Sequence, residues 1–565
     1  MSTKQNYRNA FPERTWCNND PSREMNREEA RFGARHLLAR RMPRMRLAAV
    51  LLLSICASGS ANADRPISLL ESVRLALTQN PDIRIREKQV EIGQGALQQA
   101  AGEFDTTAGL SIGKYIELSP ISQEFRQSLA SRGFPVSELS ALSTYGSTTA
   151  LTLTKPLRNG VTLGGSVSSI RTDGTSNDIS YSSPNMPAQT LGKVEFSVSV
   201  PLLKNSGDAV LAKENAANLE WQAREQDLLF STSQNVLDVV VGYWNMVAAQ
   251  EKFNVAAEVE KNARLKLEEN KALVAGDQIP AADLSLIRAD LMDKTVARLT
   301  AEQALVDARQ VLGKMIGLPY QKITALVLSD RLPDLEDKVT AVHSPLPGLI
   351  DLGLTRRNDR AASLFRLQAA KKLTDAAKNS LKPELNTTFK VGYAGLAEGS
   401  PSANITSGLY QGRTGYNRSS LTTFRWSFDN NVARGNLRQQ VATEEIKTID
   451  IANVELAISA GIEAAHSNLI RSAEKYRDIS ETTSLYRGSF ENENTKYSLG
   501  VSNLINVMST SDRYVNSRLN EIGYRLNFVI ALARLRFETG VLFFADKSGQ
   551  SIRMNQIIGM PTLDQ

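Results

Sequence analysis

Beyond residue 63 the chain holds two histidines, His343 and His466, and no cysteine. A zinc site needs three or four His, Cys or carboxylate ligands at short recurrent spacings, and neither histidine has such neighbours. The acidic pairs Glu268-Glu269 and Asp334/Glu336 carry groups suited to general acid–base work. That chemistry also needs a shared pocket, and both pairs fall in stretches that read as solvated helix or linker. No Gly-rich loop with a lysine is present to cradle phosphate. The expectation is a protein without catalytic, cofactor or metal residues. The residues to be placed are instead Gly276-Asp277 and Gly500-Val501, which mark reversals of the chain, and the polar residues that follow: Asp283, Asn506, Ser509 and Asp512.

Charge separates the chain into two parts. Of 66 Lys/Arg and 60 Asp/Glu, residues 1–63 hold 11 and 5, so the formal +6 belongs to that opening and 55 of each sign remain. A neutral remainder lacks the electrostatic footprint of a nucleic-acid binder. Arg35, Arg40, Arg41, Arg44 and Arg46 precede an apolar run, Leu47 to Ile55, too short to span a bilayer. Ala61-Asn62-Ala63 then offers an A-x-A cleavage site, so residues 1–63 read as a signal peptide, with Met42 or Met45 as alternative starts. Leu53-Ser54-Ile55-Cys56 resembles a lipidation box, but Ile55 before the cysteine fits poorly, and the downstream site is preferred.

The elements between these points occur twice. At a shift of 277, Leu77, Thr78, Asp82 and Ala100 meet Leu354, Thr355, Asp359 and Ala377. At a shift of 223, Asn245, Glu251, Lys252, Glu258, Arg264, Glu268, Leu312 and Gly317 meet Asn468, Glu474, Lys475, Glu481, Arg487, Glu491, Leu535 and Gly540. The units are 64–340 and 341–565, and the first holds 54 extra residues. Each begins with a short helix (Leu69 to Gln79; Leu349 to Arg357) and a second one reaching about Phe104 or Leu381. Long helices follow strands, at 208–275 and about 436–499, without a proline; roughly 65 residues at 1.5 Å each make a rod of about 100 Å. After Gly276 and Gly500 return helices run to Ile316 and Thr539, with 3-4 apolar spacing suited to a helix seam. Each unit is thus a long antiparallel helical hairpin plus strands.

The strands are expected at about 107–117, 149–155, 161–170 and 191–201, then 384–394 and 418–428, with loops about 118–145, 171–190 and 395–417. Phe389, Val391 and Tyr393 alternate with Lys390 and Gly392; Phe424, Trp426 and Phe428 alternate with Arg425 and Ser427. Alternation alone favours a soluble sheet with one face on a buried core. The signal peptide and rod-length hairpins favour a membrane barrel, which four to six strands close only by association of several chains.

These residues resemble the TolC-like outer-membrane efflux protein family. The resemblance rests on Ala76-Leu77-Thr78-Gln79-Asn80-Pro81, Pro201-Leu202-Leu203 before the long helix, Tyr243-Trp244 within it, and, loosely, Gly500 followed by Ile505-Asn506-Val507-Met508. It implies a mainly α fold with β, forming a trimeric outer-membrane β-barrel continued by a periplasmic α-helical barrel. It implies a passive exit duct for small molecules or proteins, in tripartite efflux or type I secretion. The implied partners are a homotrimer, outer-membrane lipid, a periplasmic adaptor docking at Gly276, Asp277, Gly500 and Val501, and an inner-membrane pump of RND, ABC or MFS type. Family gates place Asp where this chain has Asn506 and Ser509; Asp283 and Asp512 are the acids near that level, and solvated helix ends are the plainer reading for them. Family members contribute two strands per repeat, twelve in the ring, so with the hairpin turning at Arg158-Asn159-Gly160 either the barrel has more strands or the hairpin lies outside it, the second reading being slightly preferred. A periplasmic coiled-coil scaffold without a channel is the alternative function, and an ordinary porin a weaker one.

Overall fold

A computed structural model describes residues 66–120, 122–131, 141–174, 189–276, 281–333, 345–398, 409–410, 413–543, 545–546 and 549–550. The signal segment, His343, Asp277, Asp334 and Glu336 lie outside them. Helix α1 (Leu69–Gln79) starts where the Ser68 hydroxyl accepts the Glu71 N–H at 3.3 Å. Asn80 ends it and at once caps α2 (Pro81–Ala101): its side-chain oxygen accepts the Asp82 N–H at 2.7 Å, with Pro81 at the first helical position. Proline is tolerated there because that N–H has no helical partner. A 3₁₀ turn, Gly102–Phe104, leads into the sheet.

Strand β1 (Thr107–Pro120) is followed by α3 (Gln123–Ala130), β2 (Ala141–Pro156), β3 (Thr162–Gly174) and β4 (Gln189–Pro201). The helical hairpin of the first unit is α4 (Asp208–Ala275) and α5 (Ala281–Ile316), with α6 (Tyr320–Thr324) after it. The second unit runs α7 (Leu346–Arg356), α8 (Asn358–Asn379), β5 (Glu384–Glu398), β6 (Arg413–Arg425), α9 (Asn431–Ser498) and α10 (Leu504–Glu538). Helices α4 and α9 are each 68 residues long and begin 223 residues apart; α1 and α7, and β1 and β5, begin 277 apart. Each long helix is a rod of about 100 Å.

The core lies where the two hairpins meet α1 and α7. Val236, Val240, Tyr243 and Trp244 of α4 bury against Leu69 and Val73 of α1, and Leu349 joins Ile458, Ile462, Phe528 and Leu535 in the same cluster. Tyr243 packs edge-on against Trp244, centroids 5.4 Å apart. A smaller cluster, Ala263, Leu267, Ile287 and Leu291, sits nearer the hairpin ends, and Leu504 of the second hairpin packs against it. No described helix is long and apolar enough to cross a membrane.

The six strands form one antiparallel sheet in the order β1-β2-β3-β4-β5-β6. Of the two readings for the extra hairpin, this one sheet favours added strands. Strand β2 pairs with β1 from Thr107↔Thr154 to Pro120↔Ala141, and β3 with β4 from Thr162↔Ser199 to Thr172↔Gln189. The hairpin is therefore inserted in the sheet, because both its outer edges find complementary ladders. Several boundaries also differ: β2, expected from about 149, begins at Ala141, α3 lies inside the expected loop 118–145, and β6 begins at Arg413 rather than about 418. Strand β6 ends at Arg425, before Trp426 and Phe428, because the chain turns toward α9 through a left-handed Asn430 (φ 43°). Helix α9 begins at Asn431 and runs through Gly435, five residues before the start expected at about 436.

Candidate functional site: a two-faced sheet and paired helical tips

In an antiparallel ladder, directly paired residues share a face. Following the pairs Leu110↔Leu151↔Val167↔Val194↔Tyr393↔Tyr416 across the sheet traces one face. The same face carries Ile112, Ile116, Leu153, Phe196, Val198, Phe389, Val391 and Phe424, all large apolar groups left exposed. Ile112 is 73 % exposed and Leu110 67 %. The other face reads Thr152, Ser166, Glu195, Gly392 and Asn417 along one row, then Thr148 and Lys193 on nearby ones. There Glu195 accepts from Lys390 at 3.1 Å and from Lys193, and Ser199 and Thr388 hydroxyls meet at 3.0 Å. An exposed apolar face opposite a hydrated polar one is the pattern of a wall between lipid and an aqueous lumen. Thirteen residues at about 3.3 Å each, tilted about 40°, rise about 33 Å, enough to cross a hydrocarbon core.

The ends of the helical hairpins lie away from the sheet. At the second, the Gly500 N–H donates to the Tyr497 carbonyl and the Val501 N–H to that of Lys496, both at 3.0 Å. This two-bond C-cap needs a left-handed residue, and Gly500 has φ 71°. Gly276 differs: it ends α4 with φ −90° and ψ 9°. Asn503 caps α10, accepting the Asn506 N–H at 2.9 Å. Glu493 reaches across the turn, accepting from the Ser502 hydroxyl and, at 3.4 Å, from Lys496. The Ser502 hydrogen bond, helped by Lys496 and Asn506, holds its carboxyl below the ordinary glutamate range. Leu499, Val501 and Ile505 are exposed by 73, 73 and 63 %, an apolar patch at the turn.

Residues 349–541 match the family model described as Outer membrane efflux protein. That span covers most of the second unit. No curated protein sequence matches the chain significantly. Among solved structures, the outer-membrane channel OprN aligns over 84 % of this chain and 89 % of its own, with TM-score 0.60 and 14 % identity. The CmeC outer membrane channel of Campylobacter jejuni gives 84 %, 85 %, 0.60 and 14 % in the same order. The open-state MtrE outer membrane channel of Neisseria gonorrhoeae gives 84 %, 88 %, 0.57 and 14 %. The chain thus has the mainly helical, antiparallel-sheet fold of these TolC-like channels.

Within this efflux-protein fold the polar residues singled out from the sequence separate. Asn506 and Ser509 are exposed on the first turns of α10. Asp512 is paired: Lys294 of α5 donates to it at 2.5 Å and to Asp290 at 3.3 Å, tying the first hairpin to the second. Burial works against the Lys294 charge, but the two carboxylates outweigh it and its pKa is raised. Asp283 is the third residue of α5. Glu268 and Glu269 are exposed on α4, and His466 is half-buried on α9.

Sequence reasoning missed three anchors. Glu260 receives Arg298 at 2.5 Å between α4 and α5. The Tyr243 hydroxyl donates to Asp330 at 2.9 Å, and Asp330 also accepts the Leu69 N–H. Arg357 binds Asp359 at 2.8 Å and Glu538 at 2.5 Å, its guanidinium lying 5.2 Å from the Phe230 ring centre. Most of these pairs are too distant in sequence for a local pattern, though Arg357–Asp359, two residues apart, and the Glu493 contact, nine residues from Ser502, were within reach of a local reading.

Proposed function

We propose that the protein is the outer-membrane exit duct of a tripartite efflux or type I secretion assembly. The observation that carries this reading is the opposition of an exposed apolar face and a polar face on one sheet whose two edge strands, β1 and β6, have one partner each among the described residues. An open, long, apolar-faced edge is an aggregation hazard in water, and a membrane tolerates only closed sheets. Three copies closing edge to edge meet both requirements, with their helical hairpins continuing the wall into the periplasm.

The duct does no chemistry. It lowers the barrier to crossing by offering a continuous aqueous path, while an inner-membrane pump of RND, ABC or MFS type supplies the energy. A periplasmic adaptor docks at the tip turns, Gly276-Asp277 and Gly500-Val501, where the apolar patch of Leu499, Val501 and Ile505 offers contact. Asp283, Asn506, Ser509 and Asp512 form the polar constriction there. Purified protein in a planar bilayer should conduct ions, and deleting its gene should raise retention of an exported solute. A protein that leaves membranes with salt or carbonate washing and conducts nothing would instead be a periplasmic scaffold.

A further inference from the structure

The inserted hairpin has a consequence for the width of the duct. We propose, building on the trimeric reading above, that β2 and β3 are integral to the barrel wall. The outer-membrane section then has eighteen strands, six from each of three chains. Barrel diameter grows roughly linearly with strand number, so at equal tilt this ring is about 1.5 times as wide as a twelve-stranded one.

Internal comparison identifies the insertion. Strand β5 begins 277 residues after β1, whereas β6 ends 224 after β4, so the second unit has one hairpin where the first has two. Around its middle the inserted pair follows the same two-faced rule as its neighbours, with Lys155 and Arg171 on the apolar side toward its ends. Leu151 and Val167 pair on the apolar face, Thr152 and Ser166 on the polar one. Two added strands keep the up-down alternation, so β6 of one copy still meets β1 of the next antiparallel. Those edges are also matched in length, at 14 and 13 residues.

The hairpin is also fastened to the helices beneath it. Its turn is closed by the Leu157 N–H to the Val161 carbonyl at 2.7 Å. Arg158 in that turn grips Glu214 of α4 with two bonds, 2.9 and 2.7 Å, and lies 5.2 Å from the Phe104 ring centre. Lys155 donates to the Phe104 carbonyl at 2.6 Å. A flap lying outside the wall would have no reason to be tied at the junction of sheet and helices. On the polar face the hairpin presents Thr148, Thr152, Ser166 and Ser168 without a charged group. It therefore widens the lumen with short neutral hydroxyls.

Single cysteines test this, because residues 64–565 contain none. In outer-membrane vesicles, T152C and S166C should react with a water-soluble maleimide, while L151C and V167C react at least tenfold more slowly until detergent is added. Control pairs on the other strands, F389C with K390C and V194C with E195C, should alternate likewise. If the controls alternate and all four hairpin positions react alike, the hairpin lies outside the wall and this proposal falls while the duct stands. If no strand alternates, both fall. A second readout is exclusion of graded polyethylene glycols from the outer mouth. Deleting residues 141–174 should lower the size cut-off by about a third in radius; an unchanged cut-off in a variant that still forms channels would overturn the proposal.

Discussion

Gly317 and Gly540, 223 residues apart, close the same turn in the two units. Their φ angles are 84° and 72°, and in each the N–H of the following residue reaches back five positions, Leu318 to Gly313 and Val541 to Arg536. The turn returns each hairpin to the core beside the short helices α1 and α7. A Cβ on Gly317 would lie 2.7 Å from the Gln79 carbonyl oxygen, and one on Gly540 3.0 Å from Arg356. Nothing lies within 4 Å of a Cβ on Gly500.

That contrast separates backbone strain from crowding. Gly500→Ala should cost only the left-handed penalty, about 1–2 kcal/mol. Gly317→Ala should cost that and a backbone clash, lowering the denaturation midpoint in detergent visibly further. Equal losses for the two variants would contradict this.

The two faces of the sheet predict opposite tolerance to charge. Leu151→Arg should destabilise the folded wall by about 2–4 kcal/mol, read as a lower yield of heat-resistant oligomer and a lower urea midpoint. Thr152→Arg, one residue along, should fold normally and alter only ion selectivity.

Arg357 should matter more than any surface charge. With Arg357 and Glu538 side chains only 10 and 15 % exposed, Arg357→Ala removes the guanidinium that Glu538 and Asp359 share, a loss of about 3 kcal/mol. Arg357→Lys should recover only part, since one ammonium cannot fork between both carboxylates. Thermal unfolding of both variants checks the order.

The tips predict two pH windows. Glu493 has a lowered pKa, so its contribution to the α9–α10 turn is present above the ordinary value of 4.5 and is lost as pH falls through its folded pKa. Lys294 has a raised pKa, so the bridge to Asp512 persists below 10.5 and is lost only as pH rises through a higher value. Hydrogen exchange at Val501 and Asn506 should therefore be flat from pH 5 to 9 after correction for intrinsic rates, and rise below 4.5. Lys294→Met should speed exchange on α10 near Asp512, at a stability cost of about 1 kcal/mol or less.

Much of the frame was legible because it depends on local pattern. A run free of proline from Asp208 to Ala275 has few ways not to be helical, and alternation such as Phe389, Val391 and Tyr393 marks one face without knowledge of its neighbours. What escaped depends on partners far along the chain. The turn Arg158-Asn159-Gly160 announces a hairpin, but not that β1 and β4 will each accept one of its strands. Strand β6 was carried too far, since Trp426 and Phe428 keep the alternation after hydrogen bonding to β5 has ended. At the tips the glycine reversals were visible, yet Lys294 and Asp512 are 218 residues apart. The first turn itself, at Asp277, falls outside the described residues.

Electron cryomicroscopy of the full chain extracted in detergent reaches the central claim most directly. The account predicts a three-fold particle in which a closed ring of strands continues into a helical tube about 100 Å long. Separate single chains, each keeping an open six-stranded sheet with no ring, would contradict it.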